Sequence, residues 1–512
     1  MRIYTPYFHS VKEAREKKQM STEKNAWYQR VPDDQKPVLE ALLDCARKRR
    51  QPLYLVGGAV RDMMVGLDIE DLDFAVESGA LALLDEVRRT LGSGTVIELG
   101  DSQNDTARLV CRGLSIDVSG YRNGAMTIEE DLALRDFTIN SMAVLLEDLL
   151  PGGLFTVIDP LGGRDDLAKS VVRANPGCFD DDPLRMVRAY RFSAQLDFTI
   201  AVETIDAMEG KASLLSGIAA ERVSSELDTI MATARASTAF QGMRAIGLLE
   251  VMIPELFEGN HVQQPPFHHL DVMEHNLLAL KCAEWVIADP HRFFPDCDGV
   301  DFAAAQKDGG VVDLKWAALL HDIGKPATRV IDEQRGGRIT FYNHDECGAD
   351  LVFSLGQRLR WSNSRVKRVA ALVRMHMHPF HLLNVVVQDE ELSNRAKLKI
   401  CKRAGSDLTL LFMLAMADSL AGQGPEKPAG IERRLASLFG DLSAFFETTV
   451  QPVIRGPKLL TGHDLIATFG LEPGPWIGDL LQAVEEAAVE GDVTTAREAL
   501  AWVEQELAKR AR

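Results

Sequence analysis

Short β-branched runs occur in one stretch of this 512-residue chain, and beyond about residue 182 the apolar residues recur with the period of helices. Leu53–Val56, Leu72–Val76, Thr95–Leu99 and Leu114–Val118 predict strands that alternate with helical patterns and Gly-rich turns up to about Asp159. Such a chain predicts an α+β protein in which one small sheet-bearing module precedes helical domains. At roughly 150 residues per domain the length excludes a single core. We read an N-terminal extension over 1–50, an α/β module over 51–160, a helical neck and body over 161–260, a second helical domain over 261–422 and a helical tail over 423–512. Asp289–Gly310 reads as a surface loop, and Gly422–Gly430 as a Pro/Gly linker.

Charge and cysteine content narrow the function classes. Against 57 Lys+Arg stand 75 Asp+Glu, a net charge of -18, so a polyanionic partner must meet a local basic surface. The 7 cysteines include no Cys-x-x-Cys pair and suit a reducing cytoplasm. Residues Met1–Met20 are too polar for a secretory signal, and the apolar stretch Leu408–Leu420 is short and carries Asp418, so no membrane partner is expected.

The α/β module holds a first group of chemistry-bearing residues. After the apolar run ending at Val56, Gly57-Gly58 makes a turn and Ala59-Val-Arg61-Asp62 opens a helix. Its free backbone N–H groups, with Arg61, suit phosphate oxygens. Asp71 and Asp73 flank Leu72, and at a strand end residues i and i+2 point the same way. Asp117 stands on another strand, where an apolar residue is usual. Three converging carboxylates would hold two magnesium ions for phosphoryl or nucleotidyl transfer. Farther on, Asp182 and Arg185 open a helix that also carries Arg188 and Arg191. As i, i+3 neighbours the first two offer an acceptor and donors able to read the pairing edge of a base. Locally each group also fits an ordinary turn, a solvated strand end or a helix-start salt bridge.

Taken in order, Gly57-Gly-Ala-Val-Arg-Asp62, Asp71-x-Asp73, Arg135-Asp-Phe-Thr-Ile-Asn140 and Asp182-Pro-Leu-Arg-Met-Val-Arg-Ala-Tyr-Arg-Phe192 resemble the class II tRNA nucleotidyltransferase and bacterial poly(A) polymerase family. Glu221–Leu227 and Gly247–Leu256 resemble that family's neck and body. The resemblance implies a polymerase-beta-like head with Asp71 and Asp73 as magnesium ligands and Asp117 as third carboxylate. It also implies Gly57, Gly58, Arg61, Asp62, Arg135, Asp136, Asn140, Asp182, Arg185 and Arg188 at the nucleotide. The implied partners are CTP, ATP and the tRNA 3′ end. The sequence departs from the family pattern in two places. Asp181 stands where many relatives have Glu, and the stretch between Asp117 and Arg135 is shorter than in many CCA-adding members, so which nucleotides are added stays open.

A second group lies in the helical half. The run Leu314–Lys325 puts His321 and Asp322 on an apolar helix, His275 lies in the preceding helix, His344 follows Phe341-Tyr-Asn, His376 and His378 follow Arg374, and Asp418 interrupts an apolar helix. Imidazoles with carboxylates suit a divalent transition metal or magnesium. The pattern resembles the HD phosphohydrolase superfamily, which implies His275, His321, Asp322 and Asp418 as metal ligands, with His344 and His376 at a second position for which His378 competes. Basic runs at Arg358–Arg374 and Arg395–Arg403 are candidate RNA contacts. The leading expectation is a tRNA nucleotidyltransferase with an appended HD domain. The alternatives are a poly(A) polymerase and a non-catalytic RNA-binding or nucleotide-sensing protein.

Overall fold

The structure, a computed structural model, describes residues 27–67, 69, 71–99, 105–150, 155–387 and 392–510. The polar start at Met1–Met20, read as lacking a secretory signal, lies outside them. The chain forms two compact units that divide between Met252 and Ile253.

In the first unit, a seven-stranded sheet runs in the order β3-β4-β5-β2-β1-β6-β7. The strands are β1 (Tyr54–Val56), β2 (Leu72–Val76), β3 (Thr95–Glu98), β4 (Thr106–Cys111), β5 (Leu114–Gly120), β6 (Ala143–Leu145) and β7 (Val157–Ile158). The four predicted strands are all present. The sequence reading missed β4, a half-exposed strand with Arg108 and Val110 on its outward face, and the short β6 and β7. Within β2, Leu72, Phe74 and Val76 are buried on one face while Asp73 turns to the other. Helices α1 (Lys36–Lys48) and α3 (Ala80–Leu91) pack together, and α3 lies on β3, β4 and β5. Between them in sequence, α2 (Gly58–Val65) starts directly from β1. On the opposite face α4 (Ile128–Ala133) inserts Ile128 and Leu132 against Val56, Ala75 and Ala143. This leaves part of that face open around Asp73. Helix α5 (Arg185–Leu196) packs on α6 (Ala220–Met231) and α7 (Ala236–Ala245), so the base of the cleft is helical. Gly242 permits the close approach of α7. A Cβ there would lie 2.4 Å from the Tyr190 ring.

Among its described residues the second unit has helices and one hairpin, Val330–Asp332 with Arg338–Thr340. Helices α8 (Val272–Ala288), α9 (Gly310–Leu320) and α13 (Leu408–Ala421) pack on one another, and α10 (His344–Arg358) packs on α11 (Asn363–Met375). The apolar residues of α9 and α13 run all round, as buried core helices require. With α12 (Asn394–Ala404), α13 makes the one stretch among the described residues long and apolar enough to cross a membrane, and 67% of its most apolar window is buried inside the protein. Asp289–Gly310 corrects the surface-loop reading. It contains two short helices and buries Phe294, Cys297 and Phe302, with Phe294 edge-on to Phe439 of α14 (Ile431–Phe445) at 5.1 Å. Three aromatics in a Pro/Gly/Asp-rich stretch without periodicity escape a pattern search. The Gly422–Gly430 stretch is likewise docked, because Gly424 N donates to Phe267 O at 2.8 Å. Helices α15 (Pro475–Glu490) and α16 (Ala496–Arg510) share a small core of Leu480, Val484, Ala499 and Val503.

Candidate active sites: an arginine-walled cleft and a histidine–aspartate cluster

In the first unit a cleft of about 590 Å³ opens beside the free sheet face. It is lined by Gly57, Gly58, Arg61, Asp62, Asp71, Asp73, Arg135, Asp136, Asn140, Asp182, Arg185 and Arg188, together with Arg122, Arg191 and Phe192. Gly57 has φ +71° and ψ -135°, a backbone open to glycine, and a Cβ there would sit 3.3 Å from Arg135 Nη1. Asp73 and Asp117 are register partners on the parallel strands β2 and β5, so their carboxylates lie side by side. Burial, then the Asp117 charge, pushes the Asp73 carboxyl up, with Arg135 opposing. Two acids so placed call for a cation. Asp117, however, does not line the cleft, because Arg108 takes both its oxygens at 2.6 and 2.7 Å.

The arginines are held by buried acceptors. Arg61 Nη1 donates to Asn140 Oδ1 at 2.8 Å and its Nε to Asp62 Oδ1 at 2.8 Å. Asn140 in turn donates to Asp136 at 3.2 Å, and Arg188 grips the other oxygen of Asp136 at 2.7 and 3.0 Å. Burial works against the Asp136 charge, yet Arg188 keeps its carboxyl below the ordinary range. Asp131, fully buried on α4, accepts from Arg135 at 3.0 Å and from Arg122 at 3.0 Å. Burial pulls Arg135 down to about 10, still charged at neutral pH. Glu226 of α6 is shared by Arg188 and Arg191. Sequence reasoning assigned no role to Arg122, Asp131, Arg191 or Glu226. Asp131 ends the acidic run Glu129-Glu130-Asp131, and only burial separates it from its solvated neighbours.

One pairing needs correction. Asp182 and Arg185 are not neighbours on a helix, because α5 begins at Arg185 and Asp182 is extended, capping Leu184 N at 3.2 Å. The partner of Asp182 is Arg222 of α6, at 2.6 Å. Arg185 instead donates to the carbonyls of Cys178 at 3.3 Å and Leu134 at 3.4 Å. Pro183 explains the break, since the residue before a proline is driven from helical to extended backbone.

In the second unit His275, His321, Asp322, His344, His376 and Asp418 form one buried cluster. His321 and Asp322 follow the end of α9 rather than lying within it, and that turn aims both inward. His275 Nε2 lies 3.1 Å from His321 Nε2 and 3.0 Å from Asp418 Oδ1, while His344 Nε2 lies 3.2 Å from His376 Nε2. Asp322 joins the two groups, with Oδ2 3.2 Å from His321 and Oδ1 3.4 Å from His344. The Nδ1 atoms of His321, His344 and His376 meet the carbonyls of Ala318, Phe341 and Val373 at 2.9, 2.7 and 2.6 Å. With Nδ1–H so engaged, the Nε2 lone pairs of His344 and His376 face one another, an arrangement that fits a shared cation. His275–His321–Asp322 and Asp322–His344–His376 are each compact enough to hold a metal ion. Burial holds His344 down at about 4, the neutral form a ligand needs. Burial opposes a proton on His321 too, but Asp322 and Asp418 push it up to about 10. Lys325 reaches Asp322 at 2.5 Å. His378 lies apart from the cluster, bonded to Arg403 at 2.8 Å.

The Arg358–Arg374 basic run is largely neutralised from other elements. Arg358 pairs with Glu255, Arg365 and Arg368 with Asp313, and Arg374 with Glu346.

Comparison with known proteins finds relatives of both units. Four family descriptions match: Poly A polymerase head domain over residues 53–173, the RNA and SrmB binding site of polymerase A over 197–259, HD domain over 303–408 and tRNA nucleotidyltransferase domain 2 over 454–503. The chain is 34% identical over 478 residues to an A-adding tRNA nucleotidyltransferase of Deinococcus radiodurans, covering 90% of this chain and 98% of that one. It is 32% identical over 456 residues to a CC-adding tRNA nucleotidyltransferase of Thermus thermophilus, covering 88% and 92%. The fold resembles a CCA-adding enzyme solved with ATP, at TM-score 0.62 and 21% identity over 96% of this chain and 97% of the other. With identity at this level along nearly the whole length, the chain belongs to the tRNA nucleotidyltransferase family.

Proposed function

We propose that the protein is a template-independent nucleotidyltransferase that adds CMP, AMP or both to the 3′ end of tRNA from CTP and ATP, with a metal-dependent phosphohydrolase site in its HD domain. The observation that carries the first part is the juxtaposition of paired strand carboxylates with an arginine-walled cleft. Magnesium bound at Asp71, Asp73 and Asp117 would supply a more acidic 3′-hydroxyl and a neutralised leaving group. The remaining work falls to this chain's own side chains. Gly57 and Gly58 let phosphates approach the backbone at the start of α2, and Arg61, Arg135 and Arg188 offer them charge. Asp62 and Asn140 hold Arg61 in place, Asp136 holds Arg188, and Asp131 holds Arg135. Asp182, held by Arg222, and Arg185 present an acceptor and donors to a base edge. We assign the head to 51–160, the neck and body to 161–260, the HD domain to 261–422 and the tail to 423–512.

A single assay tests this reading. Purified protein is given labelled CTP or ATP with tRNA transcripts ending before the first C, after CC, or complete. Extension by one to three residues that stops at CC or CCA is expected, and the transcript extended identifies the nucleotides added. Long adenylate tails on any RNA would favour a poly(A) polymerase, and no incorporation would favour a binding protein.

The second reading rests on the facing Nε2 atoms around Asp322. His275, His321, Asp322 and Asp418 would hold one divalent ion, a transition metal or magnesium, and His344 and His376 with Asp322 a second. Hydrolysis of a phosphodiester panel supported by manganese, nickel or cobalt, and the metal bound by the second unit beyond what the head holds, should be lost in His321→Ala/Asp322→Ala. Wild-type protein that binds no more metal than this variant would make the domain a structural arm.

A further inference from the structure

Across the open face of the first-unit sheet, four adjacent strands carry a row of directly opposed residues: Ile97 on β3, Arg108 on β4, Asp117 on β5 and Asp73 on β2. Neighbouring strands lie about 4.8 Å apart, so the Arg108 backbone stands only two strand spacings from that of Asp73. Arg108 Nε and Nη2 take the two oxygens of Asp117 at 2.6 and 2.7 Å, a fork that leaves Asp117 no free oxygen aimed at the cleft. The pair is not sealed, since 43% of the Arg108 side chain and 27% of Asp117 remain exposed. Its hydrogen bonds to Asp117 and the charge of that carboxylate push the Arg108 guanidinium up against a smaller effect of burial, and Asp71 and Asp73 add to this more weakly, so the guanidinium lies in the field of all three carboxylates.

We propose that Arg108 is a positioning residue that acts through Asp117: it stands in for a divalent cation in the metal-free head, holding the third carboxylate in register beside Asp73, and releases it when the metal arrives. This rests on the reading of Asp117 as a metal ligand. A cross-strand ion pair this exposed competes with water and is open to exchange with a stronger cation. A divalent ion carries twice the charge of a guanidinium and binds carboxylate oxygens directly, so it wins the exchange. The released Arg108, flanked by the exposed Ile97 and Val110, is then free to meet a phosphate of the incoming RNA end.

The test uses the full-length protein without nucleotide or RNA, with Mn²⁺ binding to the head followed by electron paramagnetic resonance. All variants carry His321→Ala/Asp322→Ala so that the second unit does not contribute. Arg108→Ala should tighten Mn²⁺ binding about two- to fivefold, the range that an exposed ion pair of up to about 1 kcal/mol allows, with Arg108→Lys in between. Asp117→Asn should weaken Mn²⁺ binding, and in that background Arg108→Ala should have no further effect. Arg108→Ala should also raise KM for the tRNA more than it lowers kcat. If Arg108→Ala lowers the melting temperature yet leaves Mn²⁺ affinity unchanged, Arg108 is a strand brace and the proposal is wrong. If Asp117→Asn leaves Mn²⁺ affinity unchanged, the assignment of Asp117 as a ligand fails first, and the proposal with it. Arg108→Ala tightening Mn²⁺ equally in both backgrounds would mean simple charge removal and would also overturn it.

Discussion

At the residue scale, Asp73 is a carboxylate held in place at a cost to stability. Burial and the Asp117 charge raise its carboxyl, so the folded state takes up a proton more readily than the unfolded chain, and the ionised form costs stability at neutral pH. Asp73→Asn should therefore leave the melting temperature unchanged or higher while nucleotide addition disappears; a variant that still extended tRNA would remove Asp73 from the chemistry. The opposite balance holds at Asp136, where Arg188 outweighs burial and keeps the acid charged. Asp136→Ala should cost stability as well as activity, because it leaves the Arg188 and Asn140 donors without their acceptor. For base choice, Arg185→Ala should relax the preference for CTP or ATP over UTP and GTP by about 1–3 kcal/mol. Since Arg222 fixes Asp182, Arg222→Ala should relax it in the same direction, and an unchanged preference in both would reduce Asp182 and Arg185 to structural contacts.

At the element scale, α9 tests how far burial of charge is tolerated. Lys315 is 2% exposed and lies 3.8 Å from Glu284 of α8, and burial pulls its ammonium down from 10.5 to about 8. In the unfolded chain the same lysine keeps its ordinary value. Between pH 8 and 10.5 the unfolded state therefore binds more protons, and stability should rise with pH across that window by up to about 3 kcal/mol. Lys315→Met should abolish the pH-dependent rise, as denaturant titrations at pH 7.5 and 10 would show, and a rise that persisted would rule out Lys315 as its source. Such a pair is invisible in sequence, where Lys315 looks like the polar face of an amphipathic helix. The same limit governed the rest of the reading. Strands β1, β2, β3 and β5 were legible because β-branched runs sit between turns, and β4 was not, because its outward positions hold Thr106, Arg108 and an exposed Val110, so apolar and polar residues do not alternate in the sequence as burial does in the strand. His275, His321 and Asp418 were legible as polar residues on apolar helices. The Asp182–Arg222 pair was not, because it links positions 40 residues apart through a proline-broken helix start.

At the scale of the whole molecule, a net charge of -18 makes the choice of RNA-facing surface selective, and most of the Arg358–Arg374 run is unsuited to it. Arg365 and Arg368 both clamp Asp313, which is 3% exposed, and removing them would strand a buried carboxylate whose burial already raises it. Arg365→Ala/Arg368→Ala should accordingly lower stability by about 3–5 kcal/mol while leaving tRNA affinity unchanged in the fraction that folds. On α12 the arrangement differs. Arg395, Lys399 and Arg403 recur every fourth residue and are all exposed, which forms a stripe along one helix face that a phosphate backbone can follow. Arg395→Glu/Lys399→Glu should weaken tRNA binding and reduce the slope of log affinity against log salt by about two, one for each lost phosphate contact, with the melting temperature unmoved. The salt slope decides between contact and long-range field. A weaker affinity with an unchanged slope would mean that these residues steer the RNA without touching it, and no change in either would leave the stripe a solvated helix face.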